Sequence, residues 1–269
     1  MLVTDLKGYN VEAVNWLKNR WIESGVKAGD VLLLHTNIMR TLILLKRKGY
    51  RPSAELVLES FLKTVGKQGT LILPLFNFDF TKGITFNIKS TKSHMGSLTE
   101  AARKHKDSVR TGHPIYSFCI IGFLSSEFEG LDNFSGYGFD SPFAKLITLD
   151  GKIAVLDIEE NFSMTFHHHV EEMKFVPYRY AKNFSGKYVD INGDSTYKTY
   201  SIYVRDLDSN VETYLNPIGE TLWKEKIYKG FKPNHKTGLR IGNAKEIFQY
   251  VSNVIDNGAA LGNLYVRDN

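Results

Sequence analysis

The chain has 269 residues, 42% hydrophobic and 23% charged, which allows a substantial core and excludes disordered, collagen-like and coiled-coil classes. Its single cysteine, Cys119, excludes an intramolecular disulfide framework and the cysteine-rich structural zinc sites, and points to a reducing compartment. The 34 Lys and Arg stand among 29 Asp and Glu without a basic block, so the net charge of +5 describes a mixed solvated surface. A nucleic-acid partner is not expected, while an anionic small ligand would be welcome.

Residues 1–20 carry acids early and lack the apolar run of a secretory signal, and no window approaches the roughly 20 apolar residues of a membrane span. A cytoplasmic protein is expected. Residues 10–24 place Val11, Val14, Trp16, Leu17 and Ile22 at helical spacing. VLLLHTN (31–37) reads as a buried strand. Residues 53–65 read as a helix capped by Ser53 and stopped by Gly66. TLILPLF (70–76) is a second buried strand, and Ser97 with Glu100 has capping-box spacing for a helix over 97–105. SFCIIGF (117–123) and KIAVLDI (152–158) are further strands, with Cys119 a small buried hydrophobe in the first.

The segment FSMTFHHHVEEMKFVP (162–177) holds three of the chain's eight histidines beside two glutamates. Pro177 ends a helix over 165–175. On that helix His167 lies over Glu171, His168 over Glu171 and Glu172, and His169 over Glu172. Such a pair suits general-base catalysis, the carboxylate holding one ring nitrogen while the other accepts a proton. Spacing alone does not choose the working histidine, and an exposed His/Glu face with no chemistry fits equally well. Zinc is a rival, but HHHVEE lacks the H-E-x-x-H spacing and adjacent helical residues diverge by about 100°. No metal is expected.

After Pro177, residues 186–206 are rich in Tyr, Thr and Val around Asn192-Gly193, a hairpin signal read as an antiparallel extension of the sheet. A last helix is predicted over 243–256. Strands alternating with helices predict an α/β fold, a three-layer α/β/α sandwich with a largely parallel central sheet, in one domain covering 1–269. Homo-oligomerisation is left open.

LLLHTNIMR (32–40), VGKQGTLILPLFNF (65–78), MGSLTEAAR (95–103), VRTGHPIYSF (109–118), DSPFAKL (140–146) and TFHHHVEE (165–172) resemble, in this order, the motifs of the aminoglycoside 3-N-acetyltransferase family. The resemblance covers residues 30–185 and implies transfer of acetyl from acetyl-CoA to an amine. It puts the base on His168 and its orienting carboxylate on Glu171. It implies coenzyme contacts along His35, Thr36, Asn37, Ile38, Arg40, His113 and Ser117, where an anion nest at the 36–38 amides would suit a pyrophosphate. The sequence departs from the family in Thr36-Asn37 for Ser-Ser, in Arg40 near a usual glycine, and in Asp157 at another.

FNFDF (76–80), VPYRY (176–180) and YVRD (203–206) are similar to a branch acting on amino sugars in polysaccharide pathways. That likeness and the positive charge favour a nucleotide-linked amino sugar as acceptor, met by Asp79, Tyr178 and Asp157, with Arg179 on the phosphates. The alternatives are an aminoglycoside-resistance acetyltransferase and a silent sugar-nucleotide-binding module.

Overall fold

The computed structural model describes residues 4–267, so the first three residues of the leader reading lie outside it. The described chain runs through α1 (Thr4–Glu23), β1 (Val31–Thr36), α2 (Met39–Arg47), α3 (Ala54–Val65) and β2 (Thr70–Pro74). A 3-10 turn at Asp79–Lys82 precedes β3 (Phe86–Asn87), α4 (Ser97–Arg103), β4 (Val109–Arg110) and β5 (Phe118–Gly122). Next come α5 (Pro142–Thr148), β6 (Lys152–Leu156), α6 (Glu160–Ser163), α7 (Phe166–Met173), β7 (Arg179–Val189) and β8 (Ser195–Arg205). The last are β9 (Val211–Thr213), α8 (Asn216–Lys224), β10 (Lys229–Gly230), β11 (Leu239–Asn243), α9 (Ala244–Asp256) and β12 (Tyr265–Arg267).

Seven strands form the central sheet in the order β10-β11-β6-β1-β2-β5-β4. Within this sheet, among the described residues, only β1 pairs in parallel, with β2 on one side and β6 on the other. The flanking pairs are antiparallel, so the sheet is mixed, with a parallel centre. A strand buried on both faces has the same apolar pattern in either direction, and hydrophobicity alone does not encode its sense.

Alternate residues of these strands enter two cores. Leu32, Leu34, Leu71 and Ile121 join Leu17 and Trp21 of α1, Phe61 of α3 and Leu98 of α4. Leu33, Ile72, Ile120 and Ile153 join Phe143 of α5, Phe166 and Val170 of α7, Leu222 of α8 and Ile247 of α9. Each fully buried Leu, Ile or Phe contributes roughly 1.5–3 kcal/mol relative to exposure. Among the described residues no helix is long and apolar enough to cross a membrane.

Ser53 accepts a hydrogen bond from the Leu56 N–H, as its cap position predicts, and Gly66 ends α3 at φ +69°. The capping box does not form. The cap position of α4 is Gly96, and Glu100 instead accepts the Ser93 N–H at 2.7 Å while pairing with Arg103. The hairpin turns at Asn192-Gly193, with Gly193 at φ +96°, but it is longer than expected and does not extend the central sheet. It forms a second sheet with β3, ordered β3-β7-β8, through Phe86 beside Tyr188.

Candidate active site

The central strand β6 delivers the chain to this site. After Leu156 the backbone turns at Asp157, whose φ of +52° is left-handed, the conformation that makes glycine the easier residue there. Asp157 compensates with three hydrogen bonds, from Arg40 Nε at 2.8 Å, Arg40 Nη2 at 2.9 Å and the Asn234 N–H at 2.8 Å. Its side chain is only 4% exposed. The structure thus places Asp157, expected as a substrate contact, as a buried partner of Arg40, whose side chain is 27% exposed. Asp157→Gly is expected to be more stable than Asp157→Ala by roughly 1 kcal/mol in urea unfolding, because both lose the ion pair but only alanine keeps the unfavourable φ.

Beyond α6, α7 is anchored by Phe166 and Val170 in the core and stopped by Phe175 at φ +49°. Successive side chains diverge by about 100° on a helix, so the three histidines find three different partners. His167 Nε2 lies 2.9 Å from Glu160 Oε1, and His169 Nδ1 lies 2.6 Å from the Tyr137 carbonyl. His168 Nδ1 lies 2.7 Å from Glu171 Oε2. Of the helical pairs the spacing allowed, only His168 with Glu171 forms.

A carboxylate acceptor makes Nδ1 the protonated nitrogen of His168 and leaves the lone pair on Nε2. The His168 side chain is 17% exposed and that of Glu171 is fully buried, so the imidazole is the member that meets the outside. Arg179 Nε lies 2.7 Å from the same Glu171 oxygen and donates from Nη2 to Thr213 at 3.0 Å. Burial would raise the Glu171 carboxyl, but Arg179, His168 and the Tyr178 hydroxyl outweigh it and hold it below the usual range. Burial, and after it the Arg179 charge, pulls His168 down to about 4 against the opposing Glu171 bond. The ring is neutral at pH 7.

A chain of aromatic contacts runs from this imidazole toward two clefts. His168 packs on Tyr137, Tyr137 on Tyr116, and Tyr116 on both Phe76 and Phe78. Phe78 reaches His94, whose Nε2 is 3.4 Å from Asp79 Oδ2 and 3.1 Å from Asn77 Nδ2. Asp79 keeps 35% of its side chain exposed. Thr36, Asn37, Ile38, His94, Met95 and Gly96 are among the residues lining a cleft of about 380 Å³. His94 also lines the adjoining cleft of about 410 Å³ that contains Asp79.

The structure places several other expected contacts in buried settings. The nest at 36–38 is partly occupied, since the Asn37 N–H donates to the Leu156 carbonyl and Asn37 Oδ1 accepts the Met39 N–H. By position, the amides without intrahelical acceptors are those of the first turn of α2, including Arg40 and Thr41. His113 is fully buried, with Nδ1 accepting the Ile115 and Tyr116 amides and Nε2 at 3.3 Å from the Ser201 carbonyl. Ser117 is equally buried between Arg110 and the Leu75 carbonyl. Neither side chain is open to a coenzyme. His35 is buried beside Phe76 and pulled down to about 4 by burial and Arg240. Tyr178 is buried and stacks on Tyr265 at 3.8 Å. Arg179, expected on phosphates, is buried against Glu171 because a carboxylate in the core needs a fixed counter-charge.

Cys119 is buried and its thiol is pushed up to about 12, chiefly by burial, which leaves it without thiolate character at neutral pH. Among the described residues, no group of three or more His, Cys, Asp or Glu is arranged to hold a metal ion. Tyr137, His94, Asn77, Glu160 and Arg240 carry no motif in the sequence; only the fold brings them to the site or its support.

The fold is mixed α/β, and its imidazole, hydrogen-bonded to a buried carboxylate, forms a pair suited to general-base chemistry, although His168 itself lines neither of the two clefts. The profile of the aminoglycoside 3-N-acetyltransferase family matches residues 48–256, and the chain belongs to that family. It is an N-acetyltransferase with acetyl-CoA as co-substrate. Aminoglycoside N(3)-acetyltransferase IX of Micromonospora chalcea is 24% identical over a 220-residue alignment covering 72% of each protein. The crystal structure of aminoglycoside acetyltransferase AAC(3)-Xa superposes with a TM-score of 0.74 at 20% identity, covering 94% of this chain and 98% of the other. AAC-IIIb in binary complex with CoASH gives a TM-score of 0.74 at 18% identity, covering 91% and 96%.

Proposed function

We propose that the protein acetylates an amino group of an aminoglycoside, with His168 as general base and Glu171 holding its ring. The observation carrying this reading is the 2.7 Å bond from His168 Nδ1 to a buried, ionised Glu171, with the partly exposed ring left to receive a proton. This replaces the preference for a nucleotide-linked amino sugar of polysaccharide pathways. The named relatives act on aminoglycosides, and Arg179 is committed to Glu171, away from any diphosphate. The net charge of +5 is an average over the surface; locally, Asp79, with 35% of its side chain exposed, offers negative charge to a polyamine.

The acceptor amine, having released its ammonium proton to solvent, attacks the thioester carbonyl while His168 Nε2 takes a second proton from the nitrogen. A C–N bond forms, the C–S bond breaks, and the coenzyme thiolate leaves with the proton that His168 held. Nitrogen becomes far more acidic as it bonds to the carbonyl, so a weakly basic imidazole suffices, and Glu171 steadies the imidazolium. We assign acetyl-CoA to the cleft at Thr36, Asn37 and Ile38, where the start of α2 favours an anion. The acceptor is assigned to the Asp79 side. His94, which lines both clefts, would bring the two substrates together.

Acetyl-CoA consumption measured with a panel of aminoglycosides and of nucleotide-linked amino sugars tests the reading. Turnover confined to the nucleotide sugars would overturn the acceptor, and binding without turnover would favour the silent module. Asp79→Asn is expected to raise KM for the aminoglycoside roughly tenfold, a partly screened charged hydrogen bond, with KM for acetyl-CoA unchanged.

A further inference from the structure

Behind the reactive histidine stands a second, fully buried set of charges that the chemistry does not use. Glu160 of α6 accepts from His167 Nε2 at 2.9 Å, from the Tyr228 hydroxyl at 2.6 Å and from Arg240 Nη2 at 3.0 Å. Arg240, on strand β11, also holds both ends of this segment, donating to the Ile158 carbonyl just before α6 at 2.6 Å and to Ser163 Oγ at its end at 3.0 Å. Gly219 of α8 packs so closely that a Cβ there would lie 2.8 Å from Glu160 Cγ, so the acid's stem is held as well.

The first turn of α7 has no other comparable anchor of this kind in its cap, because Thr165 makes no side-chain cap bond. We propose that Glu160, fixed by Arg240 and Tyr228, is a positioning residue that acts through His167 to aim His168. His167 and His168 share one turn of an eight-residue helix, so a bond holding the first sets the azimuth of the second. A shift of about 1 Å at a reacting group costs on the order of 100-fold in rate. The inference rests on the assignment of His168 as base.

The test compares His167→Ala, His167→Gln and Tyr228→Phe with wild type, with activity normalised to folded protein. His167→Ala is expected to lower kcat roughly 10–100-fold with little change in either KM, and His167→Gln to recover most of it, since its amide can still donate to Glu160. A second readout needs no turnover: the downfield ring N–H proton of the His168–Glu171 bond, assigned by its loss in His168→Gln. It should remain sharp in wild type and His167→Gln and broaden or vanish in His167→Ala. Unchanged kcat with an intact ring signal in His167→Ala would overturn the proposal. Should that variant not fold, Tyr228→Phe decides, with a several-fold fall in kcat expected and an unchanged kcat fatal. If wild type transfers no acetyl group, the functional reading fails while the ring signal still tests the positioning.

Discussion

His168→Ala is expected to lower kcat for acetyl transfer by about 10²–10⁴-fold, the range of a positioned general base, while the unfolding free energy changes little. The stability half of this expectation follows from what remains. Removing a partly exposed ring leaves Glu171 still paired with Arg179 and facing Tyr178. Glu171→Gln should behave differently. It removes the acceptor that fixes the His168 tautomer and also strands the Arg179 charge, which is buried and, among the described residues, has only Thr213 as its other side-chain partner. Breaking a buried pair in this way costs about 3–5 kcal/mol, so this variant should lose both activity and stability. Steady-state kinetics beside urea titration separate the two. A His168→Ala protein retaining more than a tenth of wild-type kcat would remove the imidazole from the mechanism.

Acid is expected to unfold the protein before it protonates the base. His35, His113, His168 and His169 are each pulled down to about 4, burial being the first cause in every case. In the unfolded chain they titrate near 6.5, so between about 6.5 and 4 the unfolded state binds more protons than the folded one. Stability is therefore complete above about 6.5 and falls as the pH drops through that window. One such group is worth about 1.4 kcal/mol per pH unit, and four acting together roughly 5. Against a total stability of about 5–15 kcal/mol, that slope is large enough to melt the fold within one to three pH units. The carboxylates Glu160 and Glu171, held low by their partners, add their loss only below the ordinary carboxylate range. Chemical denaturation at pH 7.5, 6.5 and 5.5 measures the slope; a flat profile would mean that these histidines are protonated in the folded state. The acid limb of activity should accordingly follow unfolding rather than the titration of His168.

The His168–Glu171 pairing shows where sequence reasoning stops. Spacing allows four His/Glu combinations on α7, and each geometry is equally helical. Glu160 and the Tyr137 carbonyl decide among them by drawing His167 and His169 away, and both come from other elements. The same limit explains Arg179 and His113. A cation beside a tyrosine, or a histidine before a proline, gives no sign of whether it faces a ligand or a buried partner.

Apolar runs such as VLLLHTN and TLILPLF, the Ser53 cap, the Asn192-Gly193 turn and the ordered family motifs depend on local pattern and needed nothing beyond the chain to be read. Strand direction outside β6, β1 and β2, the separate hairpin sheet, and the partners of every buried charge were decided only in three dimensions. Local preference is set by neighbours a few residues apart. The pairing of buried charges joins residues as distant as Glu160 and Arg240, and whichever partner the packing leaves within reach determines whether a polar side chain serves the reaction or the fold.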